Sequence, residues 1–368
     1  MSQMSEKEYC YWLMNIPGIG NGRIRLLLEK YNTPQEVFHN ASEKELVEIE
    51  GLGPKSIESL LHSKNTSKIQ KSYDKLTKKG IYFVTKDDDE YPNKLKHIYD
   101  PPYGFYYRGK LPIETMPTIA IIGARDCTEY GREMAEYFAK TLGEKGVQIV
   151  SGLARGVDGY SHRGALRTIG NTYAILGSGI DICYPRENFN LYYEIVETGG
   201  GIISEYGLGV NPNAGNFPMR NRLISGISHG ILLVEARKKS GSFITVDYGL
   251  DQGKNIYALP GRVTDPLSIG SNNVIKMGGK LVLSPNDILE DYGIMGIEKE
   301  DNYKKNNNSL ESNEKIVYAS LSFSAKHMEE IILETNFKPE ELSEILFNLQ
   351  LKGYIKQTYG NYYIINPK

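Results

Sequence analysis

The sequence predicts an α/β protein: a doubly wound parallel sheet, preceded by a small helical domain and followed by a winged helix. Three observations carry this prediction. From Ile119 onward, short apolar runs alternate with amphipathic stretches of helical period. Ahead of them, two glycine-rich turns each open a helix-like apolar run. Behind them, helical periodicity returns at Glu314 after a polar stretch and closes on two short strand patterns.

Length and composition set the frame. A chain of 368 residues is long enough for about two or three domains and at least one large core. Hydrophobic content of 40% and charged content of 24% fit a soluble globular protein. Met1 to Glu8 is polar and carries no apolar signal segment, and no apolar run approaches the roughly 20 residues of a membrane helix. Cys10, Cys127 and Cys183 lie far apart and form no C-x-x-C, so neither a disulfide framework nor a metal site is indicated. The expectation is a cytoplasmic protein away from the membrane.

The helical domain is assigned to residues 1–66. Ile16-Pro17-Gly18-Ile19-Gly20 opens an apolar run through Leu28, and Ile49-Glu50-Gly51-Leu52-Gly53-Pro54 opens another through Leu61. Each resembles a helix-hairpin-helix element, in which glycine lets backbone amides approach a DNA phosphate. Such turns also simply join helices in small bundles, and both readings stay open.

The sheet domain is assigned to residues 67–292. Its strands are predicted at Ile119 to Ile122, Val147 to Ser151, Thr172 to Leu176, Gly201 to Ser204, Ile231 to Glu235, Asn255 to Leu259 and Lys280 to Leu283. Helical patterns such as Gly131 to Lys145 and Asp158 to Ile169 separate them. Near-continuous apolar strands divided by helices imply a parallel sheet covered on both faces. Ligands of such sheets sit beyond the carboxyl ends of the strands. Four glycine-bearing loops fall there: Gly123-Ala124-Arg125, Ser151-Gly152-Leu153-Ala154, Gly177-Ser178-Gly179 and Lys239-Ser240-Gly241-Ser242. None completes a G-x-G-x-x-G or Walker pattern, so an ordinary dinucleotide or nucleoside triphosphate site is not indicated.

Residues 293–313, with Asn306-Asn307-Asn308, read as a solvated linker. Residues 314–368 read as three helices and a hairpin about Gly360-Asn361, a winged helix. The second helix of its helix-turn-helix, Pro339 to Leu351, carries Glu340, Glu341 and Glu344 and no Arg or Lys before Lys352. Acid on that face repels phosphate, which favours a protein-interaction module over a reader of duplex DNA.

The most informative window is 217–245. It places Phe217, the cations Arg220, Arg222, Arg237, Lys238 and Lys239, and the Ser240-Gly241-Ser242 turn on one rim of the sheet. Cations and turn amides suit a phosphate backbone, and a ring suits an unpaired base. No general base, metal cluster or nucleophile accompanies them. The pattern points to a binder of single-stranded nucleic acid and not to an enzyme, with no cofactor. The net charge of −2 does not oppose this, because the acids gather elsewhere, as in Asp87-Asp88-Asp89-Glu90. Arg220 reads equally as a DNA contact or a core arginine paired with Glu235 or Asp247, while Arg222 leans structural. Asp158 reads as a helix cap and His162 as a packing residue.

At this point the chain resembles the DprA/Smf family of DNA-processing proteins over essentially its whole length. The pattern appears as Tyr91-Pro92 with Asp100-Pro101-Pro102, then Gly123-Ala124-Arg125 with Thr128-Glu129-Tyr130-Gly131. It continues as Ser151 to Asp158 with His162, Leu176 to Gly179, Tyr184-Pro185 with Asn188, Ser204-Glu205, Phe217 to Arg222, Ser240-Gly241-Ser242 and Pro260-Gly261. The resemblance implies an extended Rossmann-like core behind a SAM-like helical domain. It also implies binding and protection of single-stranded DNA, a homodimer, and delivery of the DNA to RecA in natural transformation. By the same resemblance Arg125 and Lys239 contact phosphate and Phe217 touches a base; Gly123, Gly152, Gly177 and Gly179, in the converging loops, read as part of a phosphate site by the sheet's architecture. Ala124 stands where the family commonly has Ser, leaving only a backbone amide for phosphate there.

Two other function classes remain. Related folds hydrolyse nucleotides with a glycine-rich loop and a following glutamate; here the stretch Ser240 to Asp247 offers a shorter acid and fewer glycines. A duplex-DNA regulator would act through the winged helix.

Overall fold

The computed structural model describes residues 3–168, 171–294, 310–322, 325–358 and 360–366. The chain divides into two compact units, Met1–Gly296 and Ile297–Lys368.

The first unit opens with six helices: α1 Glu6–Met14, α2 Asn21–Tyr31, α3 Pro34–Asn40, α4 Glu43–Val47, α5 Pro54–His62 and α6 Thr66–Lys78. Local chemistry sets their starts. Ser5 and Glu8 form a reciprocal capping box on α1, Thr33 caps α3, and Pro34 and Pro54 open α3 and α5, where a missing N–H costs nothing.

There follow β1 Tyr82–Thr85, α7 Asn93–Lys96, β2 Gly104–Gly109, β3 Thr118–Ile122, α8 Glu129–Glu144, β4 Gln148–Ser151 and α9 Val157–Ala165. Next come β5 Thr172–Leu176, α10 Phe189–Glu197, β6 Gly201–Ser204, α11 Asn216–Ile227, β7 Gly230–Leu233, α12 Ser242–Asp251, β8 Asn255–Ala258, α13 Ile269–Lys276, β9 Lys280–Leu281 and α14 Asn286–Leu289. The nine strands form one sheet in the order β1-β2-β6-β5-β4-β3-β7-β8-β9. From β6 to β9 every pairing is parallel.

All seven predicted strands are present, each end within two residues of the expected one. The sheet also extends beyond the prediction. β1 and β2 form an antiparallel pair, and β2 runs antiparallel to β6.

Side-chain alternation covers both faces. Ala120 and Ile122 enter one apolar cluster with Leu223, Ile227 and Val246, on the side of α11 and α12. Ile119 and Ile121 enter another with Phe138, Leu142 and Ala165, on the side of α8 and α9. A third cluster joins Leu13, Leu27 and Leu60 to Tyr106, Leu176 and Ile195, so the amino-terminal helices share a core with the sheet.

Docking of the first Gly-x-Gly turn follows from its polar contacts. Asn21, at the start of α2, donates from its Nδ2 to Glu205 Oε1 (2.7 Å) and accepts from the Tyr103 amide (3.3 Å). Glu205 in turn accepts two hydrogen bonds from Arg222, at 2.7 and 2.8 Å. This turn therefore anchors the helical domain to the sheet through Asn21 and Glu205.

In the second unit, helices Ser312–Ser320, Met328–Thr335 and Pro339–Leu351 pack against a three-stranded sheet of Lys326–His327, Tyr362–Ile365 and Ile355–Gln357. Leu342, Ile345, Leu346 and Leu349 face its core, while Glu340, Glu341 and Glu344 are exposed. The expected linker falls mainly on residues outside those described; at its end, Leu310 is buried and the first helix already begins at Ser312.

Candidate nucleic-acid interface

Strand order fixes where a ligand can sit. Chain order runs from β3 through β4 and β5 to β6 on one side, then crosses back to β7 beside β3 on the other. At such a switch the loops leaving adjacent strands part in opposite directions and leave a crevice at their carboxyl ends. A cavity of about 700 Å³ opens there. Gly123 and Arg125 from the β3 loop, Phe217 and Arg220 from α11, and Lys239 to Ser242 from the β7 loop line it.

Arg125 and Lys239 are exposed, and among the described residues neither has an ion-pair or hydrogen-bond partner. Between them α12 begins at Ser242, and its next amides are bonded within the turn, Phe243 to the Ser240 carbonyl (3.2 Å) and Ile244 to the Gly241 carbonyl (3.3 Å). What this end offers an anion is therefore the positive end of the helix dipole, not free N–H groups. The turn is tied to the β3 loop, since Ser242 Oγ donates to the Gly123 carbonyl (2.9 Å) and the Ser242 amide donates to Ser240 Oγ (3.3 Å). Cations and helix start are thus held on one wall.

Phe217 lies in the first turn of α11, half-buried. Its ring rests on Gly177: a Cβ built on that glycine would come 2.7 Å from Phe217 Cδ1. The Arg125 guanidinium lies over the ring at 5.6 Å and that of Arg220 at 5.9 Å, both within cation–π reach. Tyr184 packs against it, centroid to centroid 5.7 Å with the planes inclined at 37°.

Arg220 has a structural job as well as a place on the cavity wall. It is buried, and its Nη1 donates to the carbonyls of Gly152 (2.7 Å) and Ile175. Burial pulls its guanidinium down to about 10, with Asp158 acting in the opposite sense, so it stays charged at neutral pH. Burial pushes the Asp158 carboxyl up, and Arg220 and the loop amides pull it back. Asp158 was expected to cap its own helix. It lies instead within α9, whose N-cap is Gly156, and accepts from the amides of Gly152 (3.2 Å) and Ala154 (3.4 Å), bracing the preceding loop. His162 is fully buried and bonded to Thr172, a packing residue as read.

Other expected residues do not reach the cavity with free groups. The Ala124 amide, expected to be left for phosphate, donates to the Glu235 carbonyl (2.8 Å). Both backbone groups of Gly152 are engaged, by Asp158 and Arg220. Gly179 lies off the cavity, its amide bonded to the Val210 carbonyl (2.7 Å). Arg222 is turned away, with Glu205 and Asp100 as its partners (2.7 and 3.5 Å), in place of the Glu235 or Asp247 considered from sequence.

Glu235 has a different role. Its carboxylate, buried, accepts from the Thr128 amide (2.9 Å) and hydroxyl (2.5 Å) at the start of α8. Gly131 permits this approach, since a Cβ there would come 2.2 Å from Glu235 Oε2. The anion seat of the first strand–helix turn is filled from within. The cations left open on the cavity are Arg125 and Lys239, beside the positive end of α12.

Tyr184, Arg155 and Arg186 were not singled out as contacts, yet they line a neighbouring cavity of about 380 Å³. The available signal was position: Arg155 directly follows a glycine loop, and Tyr184-Pro185 stands in the family pattern.

Comparison with known proteins decides the lineage. The family model described as DNA recombination-mediator protein A matches residues 82–293, more than half of the chain. The chain belongs to the DprA/Smf family. A SAM-like helix-hairpin-helix tandem model matches residues 13–62, and a DprA winged-helix model matches residues 304–361. Protein Smf of Synechocystis is 34% identical over 296 residues, covering 79% of this chain and 74% of that protein. The solved structure of DNA processing protein A from Streptococcus pneumoniae superposes with a TM-score of 0.65 at 31% identity, covering 79% of this chain and 98% of that one. A DprA structure from Helicobacter pylori, solved to describe its single-stranded DNA binding mode, aligns with a TM-score of 0.52 at 28% identity over 57% of this chain and 95% of that one. The fold expected of the family, from helical domain through mostly parallel sheet to winged helix, is the fold observed.

Proposed function

We propose that this protein binds and protects single-stranded DNA in the cavity at the sheet's switch point and delivers it to RecA for recombination in natural transformation. It acts in the cytoplasm, as a homodimer, without catalysis or a cofactor. One observation carries the reading: two exposed cations, Arg125 and Lys239, which have no ion partner among the described residues, share a cavity with the half-buried ring of Phe217. Phosphate needs the first and an unpaired base the second. The Helicobacter relative, whose structure concerns single-stranded DNA, lends support.

The carboxylates near the cavity argue against hydrolysis as its purpose. Asp158 is buried and committed to two loop amides, and Asp247 is exposed in the second turn of α12, off the cavity lining. The winged helix, with acid on its exposed recognition face, fits a partner better than duplex DNA. For the dimer, support comes from the open edge at β9, where Met277, Leu281 and Leu283 are exposed. Val274, Ile288 and Leu289 in the same stretch are buried within the fold and are not available to a seam.

A gel-shift comparison of single and double strands, with and without RecA, tests the reading. Single strands should bind more tightly, and RecA should join the protein–DNA species. Equal or tighter binding of duplex, or release of free base from nucleotides, would overturn it.

A further inference from the structure

Beside the main cavity lies the smaller one, and the two share Arg125, Ala154, Tyr184, Phe217 and Arg220 along their common wall. Both volumes, about 700 and 380 Å³, fall within the ~300–1,000 Å³ typical of small-molecule sites. The smaller cavity adds Arg155 and Arg186, both exposed, and among the described residues neither has an ion-pair or hydrogen-bond partner. Glu187 is the acid on that rim. Uncompensated guanidinium groups on a concave wall are what a second phosphate requires.

Ring geometry separates the two compartments. A base held between Phe217 and Tyr184 would need about 7–8 Å, two carbon contacts of ~3.5–4.0 Å each. Their centroids are 5.7 Å apart, so the rings pack on each other and no base enters between them. Each ring still has surface to offer, since Phe217 is half-buried and Tyr184 is 45% exposed. The pair forms a partition with an aromatic surface on either side.

We infer that the smaller cavity is a second nucleotide subsite, in which Tyr184 stacks the base next along the strand and Arg155 and Arg186 hold its phosphates. This rests on the reading of the main cavity as a single-strand site. The strand crosses the partition with one nucleotide in each compartment, and successive bases are turned apart at that step.

The test uses the full-length protein and fluorescein-labelled (dT)20, with affinity measured by anisotropy from 50 to 200 mM salt. The double variant Arg155→Ala/Arg186→Ala should melt like the parent and flatten the log–log salt slope by about 1.4, at ~0.7 per lost phosphate contact. Over that range the parent-to-variant affinity ratio should shrink roughly sevenfold, as that slope difference dictates. Arg→Lys at both positions should restore the slope. Tyr184→Ala should weaken binding about 5- to 150-fold at an unchanged slope, and Tyr184→Phe should not. If the double variant keeps the parental slope while Arg125→Ala flattens it, the second subsite is refuted and the main site stands. If Arg125→Ala is also silent, the main reading fails and this one falls with it.

Discussion

Replacing Phe217 by alanine separates the two things its ring does. Truncating a fully buried Phe costs about 3–5 kcal/mol. Phe217 is half-buried, with Gly177 behind it and Tyr184 beside it, so roughly half of that is expected in folding stability. On the DNA side, loss of one stacked base costs about 1–3 kcal/mol, or about 5- to 150-fold in affinity. Neither effect removes a phosphate contact, so the salt slope should stay where it was. Phe217→Leu adds a second axis: it fills most of the space against Gly177 and should recover melting, but it offers no π face and should not recover binding. The assay is anisotropy of labelled (dT)20 at several salt concentrations, with thermal melting of each variant in the same buffer. A Phe217→Ala protein that melts normally and binds like the parent would refute the stacking role. One that melts poorly, but binds normally when held below its melting point, would make the ring purely a packing element.

Four further outcomes are expected. Arg125→Ala and Lys239→Ala should each weaken (dT)20 binding and flatten the salt slope by about 0.7, as loss of one phosphate contact predicts; an unchanged slope would remove that side chain from the backbone path. Deleting residues 300–368 should leave single-strand affinity within about threefold, well short of the 1.4 kcal/mol that a tenfold change represents; a larger loss in gel shifts would place the winged helix in the DNA site. Arg222→Ala leaves Glu205 without its bidentate partner beneath the helical domain and should cost about 3–5 kcal/mol in urea denaturation, partly recovered by adding Glu205→Gln. The last concerns pH: His162 donates from Nδ1 to the Thr172 hydroxyl, whose own proton goes to the Ile149 carbonyl, and burial pulls the imidazole down to about 3. Because this lies below the unfolded value near 6.5, its contribution is complete above pH ~6.5 and is lost as pH falls toward 3, so His162→Asn should flatten the acid limb of stability between pH 6.5 and 4.

The parallel sheet was legible because each of its strands is an apolar run bounded by glycine and separated from the next by a helical period. The antiparallel extension was not. β1 and β2 are joined by the long excursion from Lys86 to Tyr103, which holds α7, Pro92, Pro101 and Pro102, so no tight hairpin turn announces the pair. At the site, residue type was easier to read than direction. Arg220 and Arg222 look alike in sequence, but two residues along a helix is a turn of about 200°, which sends them to opposite sides. One braces the cavity wall and the other anchors the helical domain. The same limit applies to Ala124 and Gly179, whose amides are spent on Glu235 and Val210 carbonyls that lie far away in sequence or in another loop. No local pattern records such long-range pairing.

The buried carboxylate of Glu235 at the start of α8 has a consequence for selectivity in a crowded cell. In a sheet of this kind that helix start is the natural landing place for a free nucleotide's phosphates, and here the protein has supplied its own anion. What remains outside in the cavity is the pair Arg125 and Lys239, carried by two different strand loops. On the single-strand reading proposed above, a nucleoside monophosphate brings one phosphate to that pair, whereas a strand brings successive phosphates and engages both together through effective concentration. On that reading soluble nucleotides should compete poorly for the site, and a polymer is recognised by being one.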